Sequence, residues 1–296
     1  MPMDSSPQAK PRAQMPPIAT IPAEPAPPGA VDAHLHLVGA DFPLWSGRVE
    51  DPADDVALDV WIERYRAVMA RLGLDRAVLV HSILYGTDNT LTIEAVRRMG
   101  DMARGVGLLS DDANDADMAR FADANLKAVR LNYVHGGVLS WEGARAMAPR
   151  LRDHGLHIQM LLNSHKHMEE IAGDIAVLGV PLVIDHLGWP DLSLGMDDPG
   201  FQTLLRLLGD GHVTLKLSAL YRLCPAPYDQ AAPFVEAALA ANPEALLWGT
   251  DWPHLMLADA AMPNAGTLMD VFNAHVPRAA DRQTILVDTP TRLFDF

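Results

Sequence analysis

Short runs of β-branched and aliphatic residues recur along the chain, at 31–37, 77–82, 105–110, 128–133, 157–162, 181–186, 213–218 and 245–251. Between them lie stretches whose apolar positions fall three to four residues apart, as in Val60, Tyr65, Val68, Met69 and Leu72, or Phe201, Leu204, Leu205 and Leu208. The first pattern predicts strands buried on both faces and the second predicts amphipathic helices. Alternation of the two implies a parallel sheet covered by helices. Eight such units in one chain predict a closed (β/α)8 TIM barrel over residues 30–296, read as one domain. A doubly wound sheet would carry a glycine-rich phosphate turn after its first strand. Here that position reads Val38-Gly39-Ala40-Asp41-Phe42, with no such turn.

Residues 1–29 break the pattern. They hold nine prolines, which remove backbone donors and fix φ, so neither helix nor sheet is expected. The segment is read as a proline-rich N-terminal arm: a poorly ordered terminus, with wrapping or partner binding as the alternative.

The composition, 49% hydrophobic and 21% charged over 296 residues, is that of a soluble globular chain. A net charge of -15 argues against a nucleic-acid binder, which needs a basic footprint. No apolar run approaches the ~20 residues needed to span a bilayer, so no membrane role is expected. A single cysteine, Cys224, excludes an intrachain disulfide framework and a cysteine-based zinc cluster, and fits a cytoplasmic location. Whether the chain forms a homo-oligomer is left open.

In a barrel of this type the chemistry sits at the carboxyl ends of the strands. The first strand ends in His34 and His36, two residues apart and therefore on one face. Two adjacent imidazoles can clamp a divalent metal or polarise a carbonyl. The sixth strand delivers His186 just before a Gly/Pro turn, and the eighth delivers Asp251. A carboxylate there can ligate a metal or take a proton from water, although an N-cap role suits it equally. His81 and Tyr85, at and just beyond the second strand, are candidates to line the pocket. A second His-x-His, His165 and His167, falls where a helix should begin and is read as structural or solvated.

Taken together, Val-Asp-Ala-His-Leu-His at 31–36, Ile-Asp-His-Leu-Gly-Trp-Pro at 184–190 and Trp-Gly-Thr-Asp-Trp-Pro-His at 248–254 resemble the amidohydrolase-related branch of the amidohydrolase superfamily. The resemblance covers nearly the whole body of the chain. Tyr85-Gly86-Thr87-Asp88-Asn89 is similar to the lactone-processing group within that branch.

This resemblance implies a hydrolase that opens the ring of a small carboxylated lactone. Asp251 would be the general base, and His34, His36 and His186 would polarise the lactone carbonyl. Arg130 and Arg222 would hold substrate carboxylate, with Tyr85, His81 and His254 as further substrate contacts. A group member acting on a pyrone dicarboxylate carries a second arginine after the strand-four one and a strand-five tyrosine. Here those regions read Tyr133-Val134-His135-Gly136-Gly137 and Met160-Leu161-Leu162-Asn163. A lactone with fewer carboxylates, or a sugar-acid lactone, is therefore expected. Asn163 and Arg130 stand where binuclear relatives place a histidine and a bridging lysine, which disfavours two metals. One zinc or manganese ion on His34, His36 and Asp251 remains open, as does metal-free chemistry. The rival readings are a lactone isomerase using the same residues, a metal-dependent decarboxylase, and a non-catalytic binding protein.

Overall fold

A computed structural model describes residues 10–296; the first nine residues of the proline-rich segment lie outside the described residues. All eight expected strands form: β1 (Val31–Leu35), β2 (Arg76–Val80), β3 (Ala103–Gly107), β4 (Leu126–Asn132), β5 (His157–Leu161), β6 (Leu182–Ile184), β7 (Thr214–Ser218) and β8 (Leu246–Gly249). They pair in parallel in sequence order, β1 through β8. The segment after β8 returns to β1: Asp251 N–H donates to His34 O at 2.8 Å, and His36 N–H to Trp252 O at 2.7 Å. This is the (β/α)8 barrel that the alternation of patterns predicts.

The helices form where the apolar spacing places them. In α1 (Leu58–Leu72) the buried stripe is Leu58, Trp61, Ile62, Tyr65, Val68, Met69 and Leu72. Val60, expected on that stripe, is instead exposed, because at 3.6 residues per turn it falls on the opposite side of the helix from the stripe. The helix stops at Gly73, whose left-handed φ of 77° returns its N–H to Met69 O.

The barrel interior is layered. Val31, Ala33, Val78, Val80, Val106, Ala128, Val183 and Leu247 form an apolar floor, plugged from below by Phe294 of the C-terminal helix (Thr289–Phe294). Above it sits a polar layer that includes His34, Gln159, Asp185 and Lys216, all fully buried. The change of layer within β1 depends on a bulge: the register against β2 slips between Asp32 and Leu35. The extra residue lets Ala33 join the floor while the next side chain, His34, also points inward.

Residues 10–29 run along the outside of the barrel. Their free N–H groups find acceptors on it: Ala13 on Asp51 O, Thr20 on Asn264 Oδ1, Ala23 on Asp270 Oδ1, and Ala26 on Leu72 O. Proline excludes regular pairing but leaves the intervening residues able to bond to a neighbour.

Candidate active site

The carboxyl ends of β1, β6 and β8 converge. His34 and His36 rings meet edge to face with centroids 5.1 Å apart, and His34 and His186 lie 4.6 Å apart. Asp251 Oδ1 lies 3.7 Å from His34 Nε2 and 3.4 Å from His36 Nε2. The convergence depends on unusual backbone. Asp251 has φ +58° and His186 φ +53°, a region that costs roughly 1–2 kcal/mol per residue for side chains other than glycine. The surrounding bonds hold them there, including Asp251 N–H to His34 O and Trp189 N–H to His186 O. Gly249 permits the close approach of β8 to β1, since a Cβ on it would lie 2.5 Å from His34 N.

Asp251 divides its two oxygens between different tasks. Oδ2 accepts from Tyr221 Oη at 2.6 Å and from Arg222, whose Nε and Nη2 both lie 3.0 Å away. Oδ1 is buried and takes no hydrogen bond. Burial pushes the Asp251 pKa up, but the Arg222 guanidinium overrides it and holds the carboxyl well below the usual range. His36 Nδ1 sits 2.8 Å from Val80 O, an acceptor, so its hydrogen resides on Nδ1 and Nε2 presents a lone pair toward Asp251. Two acceptors 3.4 Å apart call for a donor or a cation between them. Burial holds His186 down to about 4 and His34 well below its ordinary value, so both rings are neutral at pH 7.

The sequence reading missed the layer beneath. Lys216 Nζ lies 3.2 Å from His34 Nδ1 and 3.2 Å from Asp185 Oδ1, and donates to Gln159 Oε1 at 2.7 Å. Gln159 Nε2 in turn donates to Asp185 Oδ2 at 3.0 Å. Asp185 also approaches His34 Nδ1, at 3.3 Å. A fully buried ammonium is tolerated only because this carboxylate faces it. The signal was available in Thr214-Leu215-Lys216-Leu217-Ser218, where polar residues alternate with leucines and so occupy the inward face.

A hollow of about 470 Å³ opens above these groups, lined among others by His36, His186, Arg130, Arg222 and Asp251. Arg130 donates to His81 O at 2.8 Å, and its Nε is buried without a partner. Among the described residues no carboxylate lies within ion-pair distance of it. Arg222 borders the hollow too, but its donors already serve Asp251, Leu255 O and Met256 O. Two expected substrate contacts do not line the hollow. The Tyr85 hydroxyl donates to Gly39 O and accepts from Gly39 N–H, tying two loops together. His254 is buried with its ring edge-on to Tyr221 at 5.3 Å. His81 donates Nε2–H to Gly86 O and borders an adjoining lobe. His165 and His167 fall in the first turn of the helix Ser164–Ile175, outside the residues that line the hollow.

The ligand atoms of His34, His36 and Asp251 lie within 4.8 Å of one another. Two of them, His34 Nε2 and Asp251 Oδ1, are buried and without partners, and the third, His36 Nε2, offers a lone pair. Two imidazoles and a carboxylate arranged in this way fit one divalent ion.

Comparison with known proteins agrees with this geometry. The chain is 34% identical over 96% of its length to a 4-sulfomuconolactone hydrolase of Rhizobium radiobacter, covering 94% of that protein. It is 31% identical to a 2-pyrone-4,6-dicarboxylate hydrolase of Comamonas testosteroni, over 90% of each chain. A D-galactarolactone isomerase of Agrobacterium fabrum is 26% identical over 93% of this chain and 94% of its own. Among solved structures, an Agrobacterium tumefaciens protein superposes with a TM-score of 0.82 at 25% identity, covering 93% of this chain and 98% of that one. The amidohydrolase family profile matches residues 31–296. With its strand-end histidines and aspartate gathered at one barrel mouth, the chain belongs to the amidohydrolase family.

Proposed function

We propose that this protein is a hydrolase that opens the ring of a small anionic lactone. The observation that carries the reading is Asp251: a buried carboxylate kept ionised, with Oδ1 free and facing His36 Nε2 at the floor of a solvent-sized hollow. Water held between these two acceptors gives its proton to Asp251 Oδ1 as its oxygen bonds to the lactone carbonyl carbon. In this reading His186, which borders the hollow, takes the charge that develops on the carbonyl oxygen, with the fully buried His34 packed beside it. As the tetrahedral species collapses, the bond to the ring oxygen breaks and Asp251 returns the proton to that oxygen. Arg130, with donors unmatched by any carboxylate of the described chain, holds the substrate's own carboxylate away from the reacting carbon. Arg222 acts on the base rather than on substrate. A zinc or manganese ion on His34, His36 and Asp251 would supply Lewis-acid polarisation of the same carbonyl.

The test is turnover of a panel of carboxylated enol-lactones and sugar-acid lactones in heavy-oxygen water. Hydrolysis places one heavy oxygen in the product carboxylate. The isomerase relative supports a second reading, in which a substrate hydroxyl replaces water and no label enters. Failure to convert any lactone in the panel would refute both.

A further inference from the structure

Beside the catalytic hollow lies a second lobe of about 300 Å³, and the two share Ile83, Arg130, Asn132 and His135 as a common wall. The far side of the lobe is apolar: Trp45, Leu108, Val138 and Leu139. Part of its polar lining is already engaged within the chain. His81 uses Nε2 on Gly86 O, and Asn132 Oδ1 accepts from His135 N–H. The chain leaves this space open rather than filling it. A Cβ on Gly137 would meet nothing within 4 Å, so a side chain there could have entered open space without displacing a neighbour, whereas Gly136 is held to glycine by its φ of +71°. On the opposite wall a Cβ on Gly86 would lie 2.8 Å from Trp45 Cγ, so glycine lets the Trp45 side chain approach the backbone closely. Trp45 is 46% exposed, an unusual place for so large an apolar surface. Arg130 marks the junction, with its guanidinium anchored on one side by His81 O and its Nε unpartnered.

We propose that this lobe is a binding subsite for an apolar substituent, an aryl ring or short branched alkyl group, carried by the anionic lactone. The inference rests on the lactone reading and narrows it: the substrate presents its carboxylate to Arg130 and extends an apolar arm past it toward Trp45 and Leu108. A lactone that is all carboxylate and hydroxyl leaves this surface wet. One that carries an apolar arm gains the burial of that arm, which scales with the area removed from water.

The experiment measures binding, so it does not depend on turnover. Benzoate and biphenyl-4-carboxylate are titrated into the full-length protein by calorimetry and tested as competitive inhibitors of any lactone the enzyme converts. The biphenyl acid is expected to bind about tenfold or more tightly than benzoate, an advantage of the order given by burying one ring. Leu108→Trp, which fills the lobe, and Trp45→Ala, which removes its aromatic wall, should each collapse that ratio toward one. Trp45 is partly exposed, so the second variant tests the idea even if the first folds poorly. Equal affinity for the two acids in the wild type overturns the proposal, as does a ratio that survives both substitutions or the absence of binding by either acid. If the ratio behaves as expected while no lactone is converted, the subsite stands and the hydrolase reading falls.

Discussion

Arg222 grips only one oxygen of Asp251: its Nε and Nη2 both point at Oδ2 from 3.0 Å, and Oδ1 is left to face the histidines. A guanidinium so placed keeps a buried carboxyl ionised without occupying the oxygen that must accept a proton. Asp251 therefore stays ionised to well below the usual carboxylate range, as the proposed base role requires. Replacing Arg222 by Met removes the largest stabilising charge, so the Asp251 pKa should rise. The acid limb of kcat/KM should then move upward toward neutral pH. An unchanged limb in the pH profile of Arg222→Met would show that Arg222 does not act through the base.

Asp251→Asn keeps the shape of the side chain and its bond to Tyr221 but cannot take a proton. We expect binding of an inert carboxylate to persist while kcat falls by roughly 10²–10⁴-fold, the usual range for a lost general base. Near-normal kcat in this variant ends the proposed mechanism.

Lys216 is fully buried between Asp185, Gln159 and His34. Lys216→Met leaves Asp185 as an uncompensated buried charge, which costs about 3–5 kcal/mol. Thermal or denaturant unfolding should show that loss, and the double variant Lys216→Met, Asp185→Leu should recover part of it. If the double variant is less stable than the single by the full cost of a second substitution, the two residues are not a compensating pair.

Burial holds His81 down to about 4 and His157 to about 3, against about 6.5 for an unfolded histidine. Between these values the unfolded chain binds more protons than the folded one, so stability rises with pH across that window. The melting temperature should fall as pH drops from about 7 toward 4. His157→Phe, set against Phe294, should make the curve shallower. A melting temperature independent of pH in this window would count against neutral buried histidines.

The set of His34, His36 and Asp251 should respond to a divalent ion. Zinc or manganese is expected to raise the melting temperature of the wild type and to leave that of His36→Ala unmoved. An equal shift in both proteins would place the ion elsewhere.

Chain order alone determined a good deal here. The alternation of aliphatic runs with helical spacing specified the barrel, because side-chain period is a local property of strand and helix. The barrel rule then pointed to strand ends, and His34, His36, His186 and Asp251 do meet there. What only the tertiary structure decided is the partner of each polar group. Tyr85 and His254 sit in recognisable motifs, yet one ties down Gly39 and the other packs on Tyr221, since neighbours in space come from loops far apart in sequence. Arg222 reads as a substrate anchor until the fold turns it onto Asp251. Lys216 reads as one lysine among leucines until seven other strands close around it, and a buried charge can then be accommodated only by the carboxylate that β6 brings opposite.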